Sequence, residues 1–306
     1  MGSNSHQRVA GLENPSMLYR RPMWYRKMRS VVTNRRQLTS NIIGYSRSAL
    51  AGRLVRIPMR CITNEYAFSM APEGWNYFRS LLAEYEKDPS IGLEDTTFFR
   101  FFRDERVGSV RYFNDILFLH DQEKRLRQEE FKFHFDTVPW GGWYKNDDIF
   151  GGKPWGSHYD RVTGNMTRDL HGYRRNPWYQ PGDRYPLEIE WELSIRLYHL
   201  IKRGYHPLRY NGVPRAVLLV RSDGEIRAVN QDGQHRFAIL SQLGLDELTV
   251  EIAPDGVGVI REAEVEEWHY VKNGYCTPEQ ALEIFDAFFV LNGRERIDYL
   301  GLPSVY

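Results

Sequence analysis

Residues 232–236, which read Asp-Gly-Gln-His-Arg, have the types and spacing best suited to chemistry in this chain. Gly233 lets the backbone approach a ligand closely, and the first amides of a following helix are unpaired donors at the positive end of its dipole. His235 adds a switchable donor, Arg236 a fixed cationic fork, and Asp232 a carboxylate for a metal ion or for proton transfer. The run predicts a phosphate-binding turn, with an ordinary surface turn as the alternative.

The elements on either side of this turn are those that would hold it in place. Residues 216–220 and 225–229 read as two short strands joined by a turn at 221–224, which predicts a β-hairpin. Beyond the turn, apolar residues fall at helical spacing and Gly244 supplies a stop. We therefore place the turn between a strand and a helix whose apolar positions are Phe237, Ile239, Leu240 and Leu243.

Two further segments complete a pattern that covers roughly residues 186–252. A predicted helix at 190–204 ends in glycine and is followed by Pro207, and an edge-like strand follows the turn at 248–252. This arrangement resembles the core of the ParB/sulfiredoxin superfamily, in which a related turn contacts nucleotide phosphates. The resemblance implies an α/β (α+β) fold with a mixed-sheet nucleotide-binding core. It also implies a nucleotide-binding or catalytic role for the residues of the turn, Asp232, Gly233, Gln234, His235 and Arg236.

Departures from the superfamily pattern narrow the expected activity. Sulfiredoxins carry a catalytic cysteine where this chain has Gln234, so sulfinic acid reduction is not expected. The Arg-rich box and helix-turn-helix of chromosome-partition proteins are not evident. The remaining resemblance is to the free-serine-kinase branch, whose members use an upstream glutamate as base. The nearest candidates are Glu188, Glu190 and Glu192, and the sequence does not choose among them.

The resemblance therefore predicts a kinase-like phosphotransferase that uses ATP or a related nucleotide and a small hydroxylated acceptor. Asp232 would position Mg²⁺ or the acceptor hydroxyl, and the turn would hold phosphates. One alternative is a ParB-like nucleic-acid-binding protein, either a nucleotide-gated clamp or a nuclease. Another is a nucleotide-binding module without catalytic activity.

A long insertion at residues 139–186 precedes the predicted 190–204 helix. Connections of this length are usually functional or disordered, and its tryptophans argue against disorder. Its charged side chains either bind a polar or anionic substrate or pair with one another within a structured loop. The substrate-binding candidates are His158, Asp160, Arg161, His171 and Arg174.

Charge is distributed unevenly along the chain. Residues 1–60 hold 12 Lys or Arg and one acid, whereas the remaining chain has a net charge of −10. This basic arm suits nucleic acid, an anionic membrane surface or an acidic protein face as its binding partner.

No apolar run is long enough to span a membrane and no secretory signal is visible, so a cytoplasmic location is the default expectation. Cys61 and Cys276 are too few for a disulfide framework.

The remaining segments complete the predicted organisation. Residues 1–65 form the arm, 66–130 a mostly helical region, 131–262 the nucleotide-binding core with its insertion, and 263–306 a helical extension.

Residues 72–86 predict a helix with Trp75 and Phe78 on one face, and 131–135 predict the first strand of the core. Residues 98–102 and 112–120 predict buried core. Thr277-Pro-Glu-Gln280 predicts a capped helix with an apolar stripe for docking, formed by Leu282, Phe285, Phe288 and Phe289.

Overall fold

The computed structural model describes residues 53–108, 113–127, 137–142, 185–207, 212–253 and 258–304. Helices and a mixed parallel and antiparallel sheet give these residues an α/β fold, as the sequence predicts. The described strands are β1 Leu54–Pro58, β2 Ile62–Thr63, β3 Thr137–Val138, β4 Gly141–Gly142, β5 Arg215–Val220, β6 Ile226–Asp232, β7 Glu247–Ile252 and β8 Val259–Arg261.

The main sheet runs in the order β1-β7-β5-β6-β2, and β8 pairs with β5. Strands β5 and β6 form the predicted antiparallel hairpin, with Gly224 at positive φ in its turn. Strand β7 pairs with β1 on one side and with β5 on the other. The prediction that residues 248–252 form an edge is therefore wrong, because β1 covers that side of β7.

The sheet begins earlier in the sequence than we predicted. Strands β1 and β2 come from residues assigned above to the basic arm, and a 3-10 turn at Met59–Cys61 links them. Strand β1 alternates exposed residues with partly buried Val55 and buried Ile57, and β2 consists of two buried residues, so both are too short to give a strong apolar pattern. The predicted first strand at 131–135 lies outside the described residues.

The described helices lie between and after these strands in the sequence. They are α1 Tyr77–Lys87, α2 Thr97–Arg103, α3 Glu105–Gly108, α4 Phe113–Leu117, α5 Gln122–Arg127, α6 Tyr185–Lys202, α7 Gln234–Gln242, α8 His269–Lys272, α9 Pro278–Val290 and α10 Arg294–Leu300. Two short 3-10 helices, Leu93–Asp95 and Glu262–Glu267, lie between them. Helices α1, α6 and α7 pack against one another, which brings three distant parts of the chain to the start of α7. None of the described helices is long and apolar enough to cross a bilayer.

Helix α1 begins later than the predicted helix at 72–86. The Asn76 side chain accepts hydrogen bonds from the backbone amides of Phe78 and Arg79, at 3.0 and 3.3 Å, which caps the helix at Tyr77. Trp75 therefore lies before the helix, where it is fully buried with an edge-on contact to Phe68. The apolar spacing located the helix, and the Asn76 cap fixed its first residue.

The C-terminal helices pack into the core as predicted. Thr277 and Gln280 form a capping box at the start of α9, and the aromatic residues of its stripe are buried. Trp140 packs edge-on against Trp268 and Phe285. The predicted core positions on α2 are also buried, namely Phe98, Phe101 and Phe102.

Candidate functional site

Two neighbouring parallel strands end at the same edge of the sheet. Ile62 and Thr63 of β2 pair with Ala228 and Val229 of β6. Because the strands are parallel, the residues that follow each of them leave the sheet on one side. Asn64 and Glu65 follow β2, and the 232–236 turn ends β6 and begins α7. The candidate site lies at this edge.

Gly233 makes the sharp connection between β6 and α7. Its φ is +92°, a left-handed conformation that glycine adopts without a steric penalty. A β-carbon at this position would lie 2.6 Å from Nη2 of Arg236, so the space above Gly233 is already filled. The carbonyl of Gly233 accepts the first helical hydrogen bond, from the amide of Phe237 at 3.0 Å. No side chain caps α7, which leaves its positive end directed at the site.

Gln234 is held by a glutamate that the sequence analysis missed. Its Nε2 atom donates to both carboxylate oxygens of Glu65, at 2.6 and 2.7 Å. The Tyr77 hydroxyl donates to Oε1 of Gln234 at 3.2 Å and accepts from Nδ2 of Asn64 at 3.2 Å. Only the pairing of β2 with β6 reveals this connection, because Glu65 and Gln234 are far apart in the sequence.

The loop that carries Glu65 has a defined shape. Oδ1 of Asn64 accepts from the backbone amides of Tyr66 and Phe68, at 3.0 and 2.9 Å. Ala67 has a φ of +56°, which is unfavourable for a residue with a β-carbon and persists where the surroundings determine it. The Asn64 side chain thus fixes the turn that presents Glu65 to helix α7.

His235 contacts one of the three predicted glutamates. Its Nε2 atom lies 2.6 Å from Oε2 of Glu190 on α6. The two groups form an ion pair when the ring is protonated, although they are not aligned as a hydrogen bond. The Glu190 side chain is 1% exposed, whereas Glu188 is partly exposed and Glu192 is exposed. The Phe78 ring packs on the imidazole with centroids 4.2 Å apart. Tertiary structure therefore distinguishes Glu190 from the other two candidates.

Arg236 is directed into the protein. Its Nη1 atom donates to the carbonyl of Gly212 at 2.6 Å, and Nη2 lies 3.4 Å from Oδ2 of Asp232. Burial raises the pKa of the Tyr205 hydroxyl, and the charge of Arg236 acts in the opposite direction. The Arg236 side chain is 5% exposed, so it would have to give up these contacts to bind a phosphate.

Three consecutive side chains at the start of α7 are thus each paired with a carboxylate from a different element. Gln234 pairs with Glu65, His235 with Glu190, and Arg236 with Asp232. The Asp232 side chain is 55% exposed and is the most accessible carboxylate of these pairs. No group of three or more His, Cys, Asp or Glu within the described ranges is arranged to hold a metal ion. Asp232 therefore offers one carboxylate for Mg²⁺, as far as the described part of the chain shows.

The substrate-binding candidates of the insertion lie outside the described residues. Only the ends of that insertion are described, as the short β3–β4 pair and the start of α6. The residues concerned are His158, Asp160, Arg161, His171 and Arg174.

Comparison with known proteins gives no relative from which a function could be transferred. The chain matches no protein-family model, no curated protein and no solved structure.

Proposed function

We propose that this protein is a nucleotide-dependent phosphotransferase acting on a small hydroxylated acceptor, with a ParB/sulfiredoxin-like core. The supporting observation is the pairing of three consecutive polar side chains with three carboxylates at the uncapped start of α7. Burying polar and charged groups is unfavourable unless they are paired, and a simple connecting turn does not require it. A cluster of paired polar side chains at the end of two parallel strands is typical of a binding site.

The geometry of Gly233 and α7 supports a proposed phosphate-binding role. The left-handed Gly233 precedes a nine-residue helix that lacks a side-chain cap, so the first backbone amides lie at the positive end of its dipole. Backbone amides at such a position bind phosphate oxygens without any additional cation. In this proposal the amides hold the phosphates, and exposed Asp232 contacts the Mg²⁺ that accompanies the nucleotide.

Proton transfer is assigned to the Glu190–His235 pair. The buried carboxylate of Glu190 lies 2.6 Å from the imidazole, where it would form an ion pair with the ring once His235 has accepted a proton. The acceptor oxygen forms a bond to the terminal phosphorus while the bond to the leaving nucleoside diphosphate breaks. His235 takes the proton that the acceptor hydroxyl loses. Gln234 supplies no thiol, so this turn is not suited to sulfinic acid reduction.

The first test is thermal unfolding of the purified protein with ATP, ADP, CTP and GTP, each with and without Mg²⁺. A ligand that binds only the folded state raises Tm by mass action. We expect at least one nucleotide to raise Tm, with a larger shift when Mg²⁺ is present. If no nucleotide raises Tm, the proposal is wrong. A shift without any phosphate transfer would instead support the inactive binding module.

The catalytic assignment is tested with two glutamate variants on the same helix. Glu190→Gln should lower turnover about 100-fold, because it removes the carboxylate that pairs with the His235 base, and loss of acid–base catalysis typically costs 10²–10⁴-fold. Glu192→Gln changes an exposed neighbour on α6 and should leave turnover unchanged. Release of nucleoside diphosphate in the presence of hydroxylated acceptors measures both. Equal rates for the two variants would exclude Glu190 from the mechanism.

A further inference from the structure

Asn230 is a buried polar residue on β6 that none of the contacts described above explains. It is 3% exposed and lies two residues before Asp232. Neither Oδ1 nor Nδ2 of its side chain has a hydrogen-bond partner among the described residues. A buried carboxamide that lacks both kinds of partner is unfavourable, and its presence in a native fold calls for an explanation.

The position of Asn230 places it within the candidate site. It is the residue after Val229, at which the pairing of β6 with β2 ends, so it comes alongside Asn64. Across the hairpin it pairs with Ala216, which has a small side chain. The pairing shifts between Ala216–Asn230 and Arg215–Asp232, which marks a β-bulge at Gln231. Bulges next to active sites redirect side chains, and here the bulge separates Asn230 from Asp232.

The chemistry of the carboxamide restricts the kind of ligand that Asn230 can complete. The carboxamide itself is uncharged and buried, so it cannot compensate the desolvation of an ionic group. A neutral group that both donates and accepts a hydrogen bond satisfies Nδ2 and Oδ1 together. Hydroxyl groups of a polyol or sugar have this character.

We infer that Asn230 recognises a neutral polyhydroxylated acceptor, such as a sugar or polyol, in the same site. This inference rests on the proposed function for the transfer step, although binding of the acceptor is measurable without a nucleotide. The uncapped start of α7 provides the phosphate end of the site, and Asn230 provides the acceptor end.

The test measures binding by thermal unfolding with glycerol, ribose and inositol at millimolar concentrations, where polyols do not yet stabilise by exclusion from the protein surface. Glycerate and serine serve as charged comparisons. At least one neutral compound should raise the Tm of the wild-type protein. Asn230→Leu should keep or raise the Tm without ligand, because it removes an unpaired amide, and should weaken acceptor binding at least tenfold.

Two further variants keep this test decisive. Ser80→Ala removes another buried polar atom without a described partner, on α1, and should leave the response to acceptors unchanged. If Asn230→Leu does not fold, Asn230→Ser keeps a donor and an acceptor on a shorter side chain. That variant should raise the KM for the acceptor at least tenfold with little change in kcat.

The outcomes separate this inference from the proposed function. A response to charged acceptors only, or a neutral-acceptor response that Asn230→Leu or Asn230→Ser retains, would overturn the role of Asn230. If the wild-type protein binds no nucleotide, the phosphotransferase proposal is wrong, but the acceptor-binding result can still be interpreted.

Discussion

At the residue scale, Gly233 carries two constraints that arise from different sources. Its φ of +92° follows from the tight passage from β6 to α7, and any side chain there would be strained. Its lack of a β-carbon also makes room for the Arg236 guanidinium, which is held in place by Gly212 and Asp232. The second constraint links the shape of the turn to a buried cation.

The Gly233→Ala variant should separate these two constraints when compared with Gly224→Ala. Gly224 has a similar φ of +89°, and no atom lies within 4 Å of a β-carbon built on it. Gly224→Ala should therefore cost only the backbone term, about 1–2 kcal/mol of unfolding free energy. Gly233→Ala should cost about 1–3 kcal/mol more, because the added methyl group overpacks the site.

Urea unfolding measures both free energies. The nucleotide-dependent shift in Tm should also be lost in Gly233→Ala and retained in Gly224→Ala. Equal destabilisation of the two variants would show that Arg236 does not fill the space above Gly233.

At the element scale, capping residues determine where the helices begin. Helix α9 starts at Pro278 because Thr277 and Gln280 satisfy each other's backbone amides, at 3.2 and 2.9 Å. Helix α1 starts at Tyr77 because Asn76 caps it, and Phe78 then packs on His235. Helix α7 has no side-chain cap, which distinguishes it from these two and fits a role in binding an anion.

Thr277→Ala tests the contribution of the α9 cap. Removing an N-cap hydroxyl should lower the free energy of unfolding by about 0.5–2 kcal/mol. Thr277→Ser retains the hydroxyl and should remain close to the wild-type protein. Chemical denaturation monitored by circular dichroism measures the difference, and a serine variant as unstable as the alanine variant would argue against the capping interaction.

At the scale of the whole molecule, the C-terminal helix α10 supports the loop that carries Glu65. Arg296 is fully buried and donates to the carbonyls of Ala67 and Leu117, at 2.9 and 3.2 Å. Its guanidinium also lies 4.1 Å from the centroid of the Phe68 ring. Residues near both ends of the described chain therefore meet beside the candidate site.

Arg296→Met should destabilise the protein strongly. The substitution leaves buried carbonyls without this donor and removes a cation–π contact, so we expect a loss of about 2–4 kcal/mol. Arg294→Met is the matched control on the same helix, because its hydrogen bonds to the Glu73 carbonyl and to Ser304 are exposed. That change should cost about 1 kcal/mol or less. Similar losses for both variants, measured by urea unfolding, would contradict a special role for Arg296.

The sequence by itself determined the elements whose residues are close together in the chain. Two short strands with a turn between them predicted the β5–β6 hairpin, and helical spacing predicted α7. A capping box with an apolar stripe predicted α9, and the glycine between β6 and α7 predicted a sharp turn. These features depend on local backbone preference and on the apolar face of a single element, both of which can be read from adjacent residues.

Tertiary structure alone decided which residues surround the turn. Strand β1 is largely exposed and β2 has only two residues, so their pairing with β7 and β6 depends on contacts between distant residues. Glu65 could not be connected to Gln234, or Glu190 preferred over Glu188 and Glu192, until the parallel strands and packed helices brought them together. A periodic pattern shows which face of an element is buried, whereas the partner of a buried polar group is fixed by the packing of the whole chain.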